Sequence, residues 1–225
     1  MGLQDQEQFS LLSDYDTNSD YNRAYQALFA NIRFALDKQK GSQHVILLAA
    51  PTPEREPGLV AANLAIASSQ NGVPTLLVDA NLSTPSLARR FGLEQDKGLS
   101  DLLATGDEDL MSYIQPTFLP ELSLLQAGRQ TNSAAEISRL LMSRLAEILQ
   151  AAQAFMARQS PHPSLLILHS PPVLSGIDAS LLAEQAEQSY LLITKERTTQ
   201  AQARQARKLL EQTTTRVRGT ILLDV

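Results

Sequence analysis

At 225 residues, with 43% apolar and 19% charged side chains and a formal net charge of −5, the chain is sized and composed for one folded α/β domain with a real core. Its acidic balance, with no Lys/Arg stripe to neutralise phosphates, argues against a nucleic-acid-binding surface, and the lack of cysteine excludes disulfides, thiolate metal sites and a cysteine nucleophile. No apolar run approaches the roughly 20 residues that span a bilayer, and the polar, acidic stretch Met1–Ser10 is no signal sequence, so the expected location is cytoplasmic, alone or as part of something larger.

Residues 1–18 are polar, acidic and rich in Ser, Asp and Gln, and read as a flexible leader before a single domain over 19–225. Ser19 is placed to cap a helix through Lys38, with Tyr25, Leu28, Ile32 and Leu36 on one face and Gly41 as its stop. His44–Ala50 reads as a buried strand, Gly58–Gln70 as a helix closed by Gly72, and Thr75–Ala80 as a second strand. Short helices are expected at Pro85–Phe91 and Leu99–Ala104, a strand at Leu122–Ala127, and a long helix at Ala134–Arg158. After the breaking segment Ser160-Pro161-His162-Pro163 come strand Leu165–Leu168, helix Asp178–Gln188, strand Tyr190–Thr194, helix Thr198–Gln212 and strand Thr220–Leu223. Near-continuous apolar strands alternating with helices predict a doubly wound, mostly parallel sheet with helices on both faces, a three-layer sandwich.

In such a sheet, ligands bind beyond the carboxyl ends of the strands, here the loops near 49–58, 79–85, 169–174 and 195–198. The first of these, Pro51-Thr52-Pro53-Glu54-Arg55-Glu56-Pro57-Gly58-Leu59, joins a strand to a helix, which is the setting of a phosphate-binding loop. Its chemistry is wrong for phosphate. Pro57, Gly58 and Leu59 stand where Lys, Ser and Thr belong, and Glu54 and Glu56 bring negative charge to a place where a nucleotide brings its own. The two glutamates are expected either to satisfy the helix N-terminus from within, or to lie in a solvated acidic loop. Arg55 reads as a solvent-exposed cation, with anion contact as the sharper alternative.

Several segments together resemble the cytoplasmic domain of bacterial tyrosine kinases, the capsule and exopolysaccharide autokinases, within the wider group of P-loop ATPases that includes the Mrp, MinD and ParA proteins. Arg23-Ala24-Tyr25-Gln26-Ala27-Leu28-Phe29-Ala30-Asn31-Ile32 is similar to that family's E-A-Y-R-x-L-R-T-N-I, and Leu76-Leu77-Val78-Asp79-Ala80-Asn81-Leu82-Ser83-Thr84-Pro85-Ser86-Leu87 to L-L-I-D-A-D-L-R-R-P-S-L. His169-Ser170-Pro171-Pro172-Val173-Leu174 with Asp178-Ala179 resembles D-T-P-P-V-L followed by D-A, and Gly219–Asp224 resembles G-x-V-L-N. The resemblance runs from Asn22 to the C-terminus, in the family's order, and implies a P-loop NTPase-like fold.

By the same resemblance, the departures fall on the positions that touch ATP and magnesium. The phosphate-binding lysine aligns with Pro57, the Mg²⁺-ligating hydroxyl with Gly58 and its neighbour with Leu59. The second aspartate after Asp79 is Asn81, the Walker B aspartate aligns with His169, and the base-reading asparagine with Asp224. Asp79 and Asp178 are the retained acids. The oligomerisation motif E-x-x-R-x-x-R lands on Arg23, Gln26 and Phe29, and the C-terminal tyrosine cluster is absent. His169, Asp79 and Asp178 are compatible with a divalent-metal site, but no ligand spacing supports one, and a hydrogen-bonded structural role is the plainer expectation.

The expectation is therefore a catalytically inactive, pseudokinase-like domain, with neither ATP nor Mg²⁺ as cofactor. It would serve exopolysaccharide or capsule assembly through a Wzz-type inner-membrane chain-length protein or an active kinase paralogue, held at the inner face of the membrane by that partner and not inserted itself. The alternative from another class is an atypical ATP-dependent tyrosine autokinase with displaced catalytic groups, for which ATP and Mg²⁺ would be required. A weaker one is a MinD/ParA-like positioning factor, which would share the missing lysine.

Overall fold

A computed structural model of the protein describes residues 11–36, 43–54, 56–106, 109–129, 133–160 and 162–224. Seven strands form one sheet: β1 (Gln43–Ala49), β2 (Thr75–Asp79), β3 (Ile114–Pro116), β4 (Leu122–Leu125), β5 (Ser164–His169), β6 (Gln188–Thr194) and β7 (Arg216–Leu223). Their order is β3-β4-β2-β5-β1-β6-β7, and every neighbouring pair is parallel except β3–β4. The seven α-helices of the described residues are α1 (Asp20–Leu36), α2 (Glu56–Gln70), α3 (Leu87–Arg90), α4 (Leu99–Thr105), α5 (Ala134–Gln159), α6 (Asp178–Glu184) and α7 (Gln200–Leu210).

Alternation along the strands divides the core in two. Val45, Leu47 and Ala49 of β1, with Leu166 and Leu168 of β5, meet α4 to α7 on one face. Ile46 and Leu48, with Leu165 and Ile167, meet α1 to α3 on the other. The central strands are buried on both faces, which is why they read as unbroken apolar runs. The expected α/β three-layer sandwich is the observed fold.

Boundaries moved where local signals were weak. Thr199 caps α7 through the Gln202 N–H, so that this helix starts at Gln200, two residues later than expected, and α6 ends at Glu184, before β6 starts at Gln188. β7 begins at Arg216, because pairing with β6 overrides the low strand propensity of Arg216-Val217-Arg218-Gly219. The stop at Gly41 lies outside the described residues.

The leader needs correction within its described part. Leu11 and Leu12 are buried in the α1–α2 core, Leu12 at 0% exposure. The Leu12 N–H donates to Asn63 Oδ1 at 2.9 Å, while Asn63 Nδ2 donates to the Tyr21 hydroxyl at 2.8 Å. A buried amide on α2 thus ties the pre-helix segment to α1. Composition alone could not register two leucines docking from an acidic stretch.

Candidate functional site

The carboxyl ends of β1, β2, β5 and β6 converge, as the parallel topology requires. The chain leaving β1 is pinned to the segment after β5. Leu48, Ala50 and Pro51 carbonyls accept the N–H groups of Ser170 (3.1 Å), Val173 (2.9 Å) and Leu174 (3.0 Å). The proline pair Pro171-Pro172 is therefore part of a fixed wall.

Among the described residues, Glu54 finds its partners away from the α2 N-terminus. Its half-buried carboxylate turns to the end of β6, accepting hydroxyl hydrogen bonds from Thr194 and, at 3.2 Å, from Thr198. Thr198 Oγ1 in turn accepts the Thr194 N–H at 3.1 Å. The loop is thereby latched across the sheet end by a charge-assisted hydrogen bond. Arg55 and the side chain of Glu56 lie outside the described residues. Pro57 sits in the first turn of α2, where its missing N–H removes one of the donors that would otherwise cradle an anion.

Gly58 follows in the same turn, and its surroundings are full. A Cβ added there would lie 2.5 Å from Ser86 Oγ, 3.5 Å from His169 Nε2 and 3.6 Å from Arg90 Nε. Ser86 is held by its backbone. Its N–H and that of Leu87 both donate to Asp79 Oδ2 at 3.0 Å, so Asp79 anchors the start of α3. Asp79 and His169 are register partners at the ends of β2 and β5, and the Ala80 N–H donates to the His169 carbonyl at 3.0 Å. Both side chains are buried, at 1% and 3% exposure. Asp79 Oδ1, Asn81 Oδ1 and His169 Nδ1 are buried without a hydrogen-bond partner. Burial holds the His169 imidazole below its ordinary pKa, with the Asp79 charge opposing and the Arg90 charge reinforcing the shift. The neutral ring is the stable form here.

The other singled-out residues are not part of this cluster. Asp178 opens α6 and accepts from Ser138 Oγ on α5, and Asp224 pairs with Lys195 at 3.1 Å on the surface. Among the described residues, no three His, Asp or Glu side chains group as a metal ion would need. On α1, Arg23 pairs with Asp20, Gln26 bonds Gln70 and Asn71 at the end of α2, and Phe29 is core at 4% exposure. The three motif positions make contacts within their own chain.

Sequence reasoning did not single out Ser86, Arg90, Thr194 or Thr198 as site residues. The only signal for Ser86 was its place in the segment after Asp79, and nothing local links Thr194 to a glutamate 140 residues earlier.

No family model matches the chain. It is 30% identical over 190 residues to EpsB of Ralstonia nicotianae, assigned as a tyrosine-protein kinase, covering 84% of this chain and 24% of that one. It is 29% identical over 200 residues to the tyrosine-protein kinase YwqD of Bacillus subtilis, covering 88% of this chain and 78% of the relative. The chain spans about a quarter of the length of the first curated relatives it matches. Among solved structures, the BceF tyrosine kinase domain superposes with a TM-score of 0.79 at 26% identity, over 95% of this chain and 81% of that one. The septum site-determining protein MinD from Pyrococcus horikoshii, complexed with Mg-ADP, shares the fold alone: TM-score 0.64, 19% identity, 80% and 70% coverage.

Proposed function

Since the homologues of this chain are bacterial tyrosine-protein kinases, we propose that it is a catalytically inactive domain of that kind, kept as an interaction or regulatory module. The observation that carries this reading is the filled space at Gly58. Phosphoryl transfer rests on positioning and on neutralising charge with Lys, Arg and Mg²⁺. Here the lysine position is Pro57, and the place for a metal-ligating hydroxyl at 58 is closed by Ser86 and flanked by His169 and Arg90. Glu54 adds a carboxylate beside the loop. At 4 Å and an effective dielectric of 20, each like-charged pair would cost about 4 kcal/mol. The residues present do not fit Mg·ATP.

The pathway is exopolysaccharide or capsule assembly, and the partner is a Wzz-type inner-membrane chain-length protein or an active kinase paralogue. The chain would reach the inner face of the membrane through that partner. No helix among the described residues is long and apolar enough to cross a membrane itself.

Thermal unfolding with Mg·ATP and Mg·ADP tests the reading. A ligand present at 100 times its Kd adds about 2.7 kcal/mol, which raises the midpoint of a domain this size by roughly 5–10 °C. The expected result is no magnesium-dependent shift at millimolar nucleotide. A clear shift would overturn the proposal in favour of an atypical ATP-dependent tyrosine autokinase.

A further inference from the structure

The sheet ends in β7, whose outer edge is paired with no strand among the described residues. At eight residues β7 is long for an edge, and every second residue along it is exposed. A free edge is a row of unsatisfied donors and acceptors, which proteins blunt with bulges and charges. Here those devices crowd into the first half: Arg216, Arg218 and the irregular pairing opposite Ser189 and Tyr190. The second half, Thr220 to Leu223, carries neither charge nor proline, and Leu222 stands 67% exposed.

The ladder fixes the backbone direction in that half. The Leu223 carbonyl accepts the Lys195 N–H at 2.8 Å, so Leu223 and, two residues back, Ile221 turn their peptide groups toward β6. Thr220 and Leu222 alternate with them and turn theirs outward. Two outward residues separated by one make a self-complementary unit. Brought against a second copy by a two-fold axis, Thr220 falls opposite Leu222 and Ile221 opposite itself. The same register sets Arg218 opposite Asp224 at both ends of the pairing. Asp224 lies 3.1 Å from Lys195 on the surface, and a carboxylate has lone pairs for a second cation. Sliding the register toward the start of β7 would instead set Arg218 against Arg216 or against itself, which like charge opposes.

We infer that the edge of β7 is an interface for a second copy of this chain, joined antiparallel through Thr220 and Leu222 about Ile221, so that the two sheets run on as one. Each Thr220–Leu222 pair exchanges two backbone hydrogen bonds. Leu222 covers part of its apolar surface, and the Arg218–Asp224 pairs hold the register. The pairing consumes the edge of both copies and closes at two. Edge pairing alone makes a small interface, so the expected Kd is about 10–100 µM. The interface is independent of the nucleotide-site reading and stands whether or not that reading holds.

The lack of native cysteine makes the register directly readable. Two Ile221 Cα atoms facing at a non-hydrogen-bonded position would lie about 4.5 Å apart, within disulfide reach. Ile221→Cys in the full chain should therefore give a covalent dimer under mild oxidation, whereas Leu222→Cys, whose thiol would face Thr220, should not. Sedimentation equilibrium of the parent chain up to about 500 µM should show a monomer–dimer equilibrium. Arg218→Glu should weaken it about tenfold, since two attractive pairs become repulsive, and adding Asp224→Arg should restore it to within about twofold. A parent chain that stays monomeric, leaving the edge to a strand of another protein, would overturn the inference. So would Leu222→Cys cross-linking as readily as Ile221→Cys, or a charge swap without rescue. If Ile221→Cys fails to fold, the sedimentation of the parent and the exposed charge pair decide the matter by themselves.

Discussion

Substituting Gly58 by alanine measures how closed the first turn of α2 is. In an open helix the change stabilises by about 0.5–1 kcal/mol, because glycine loses more backbone freedom on folding. Here the new Cβ would stand 2.5 Å from Ser86 Oγ, whereas ordinary contact begins at 3.4 Å, so close to 0.9 Å of overlap must be relieved. The Ser86 backbone is held, since its N–H and that of Leu87 donate to the buried Asp79 carboxylate, so relief falls to the hydroxyl, which must leave its present rotamer. Overpacking of this kind costs roughly 1–3 kcal/mol. The net expectation is a loss of about 1 kcal/mol, or some 2–4 °C in a domain this size. Gly58→Ser, which adds a hydroxyl beyond the Cβ, should lose more. Ser86→Gly alone should cost a few tenths of a kcal/mol. Combined with Gly58→Ala it should return stability to within about 0.5 kcal/mol of the parent, a coupling of at least ~1 kcal/mol in the cycle. Urea unfolding midpoints at unchanged m-value provide the measurement. A Gly58→Ala protein as stable as the parent, with the double variant merely additive, would refute the account of a filled site.

The latch at the loop predicts that Glu54→Gln lowers stability by about 1 kcal/mol, because charge-assisted bonds from Thr194 and Thr198 become neutral ones. An unchanged or higher melting temperature would count against it. Leu12→Ala should cost about 2–4 kcal/mol by chemical denaturation, as expected of a fully buried leucine; a cost below 0.5 kcal/mol would return residues 11–14 to a loose leader. His169 makes a pH prediction. Burial places its native pKa below the unfolded value near 6.5, so above that pH both states are neutral and stability is flat in this group. Below it the unfolded chain takes a proton that the native state refuses, and stability falls by up to ~1.4 kcal/mol per pH unit. The gap between the parent and His169→Gln should therefore narrow from pH 7.5 to 5.5; a constant or widening gap would show the imidazole to be charged in the fold.

How legible was all this in the sequence? The central strands were, because burial on both faces writes them as runs such as Val45–Ala49 and Leu165–Leu168. β3 was not, since three residues with a terminal proline carry no period and exist as a strand only through antiparallel pairing with β4. The first half of β7 was hidden by two arginines and a glycine. At the site, Pro57-Gly58-Leu59 announced a missing phosphate chemistry by position alone. What occupies the space could not be read, because Ser86, Arg90 and His169 reach Gly58 from two other parts of the chain. Likewise Glu54 found partners at the end of β6 that no local pattern links to its loop. Residue identity in a loop states which side chains are present; only packing states what surrounds them.

The contact between Gly58 and Ser86 also couples two distant stretches of the chain. A side chain placed at position 58 meets Ser86 Oγ first, and Ser86 belongs to a helix start that Asp79 holds from the sheet. The effect of a substitution on α2 is therefore set by the residue that opens α3. Positions 58 and 86 behave as one mutational unit, and neither can be interpreted from single changes alone.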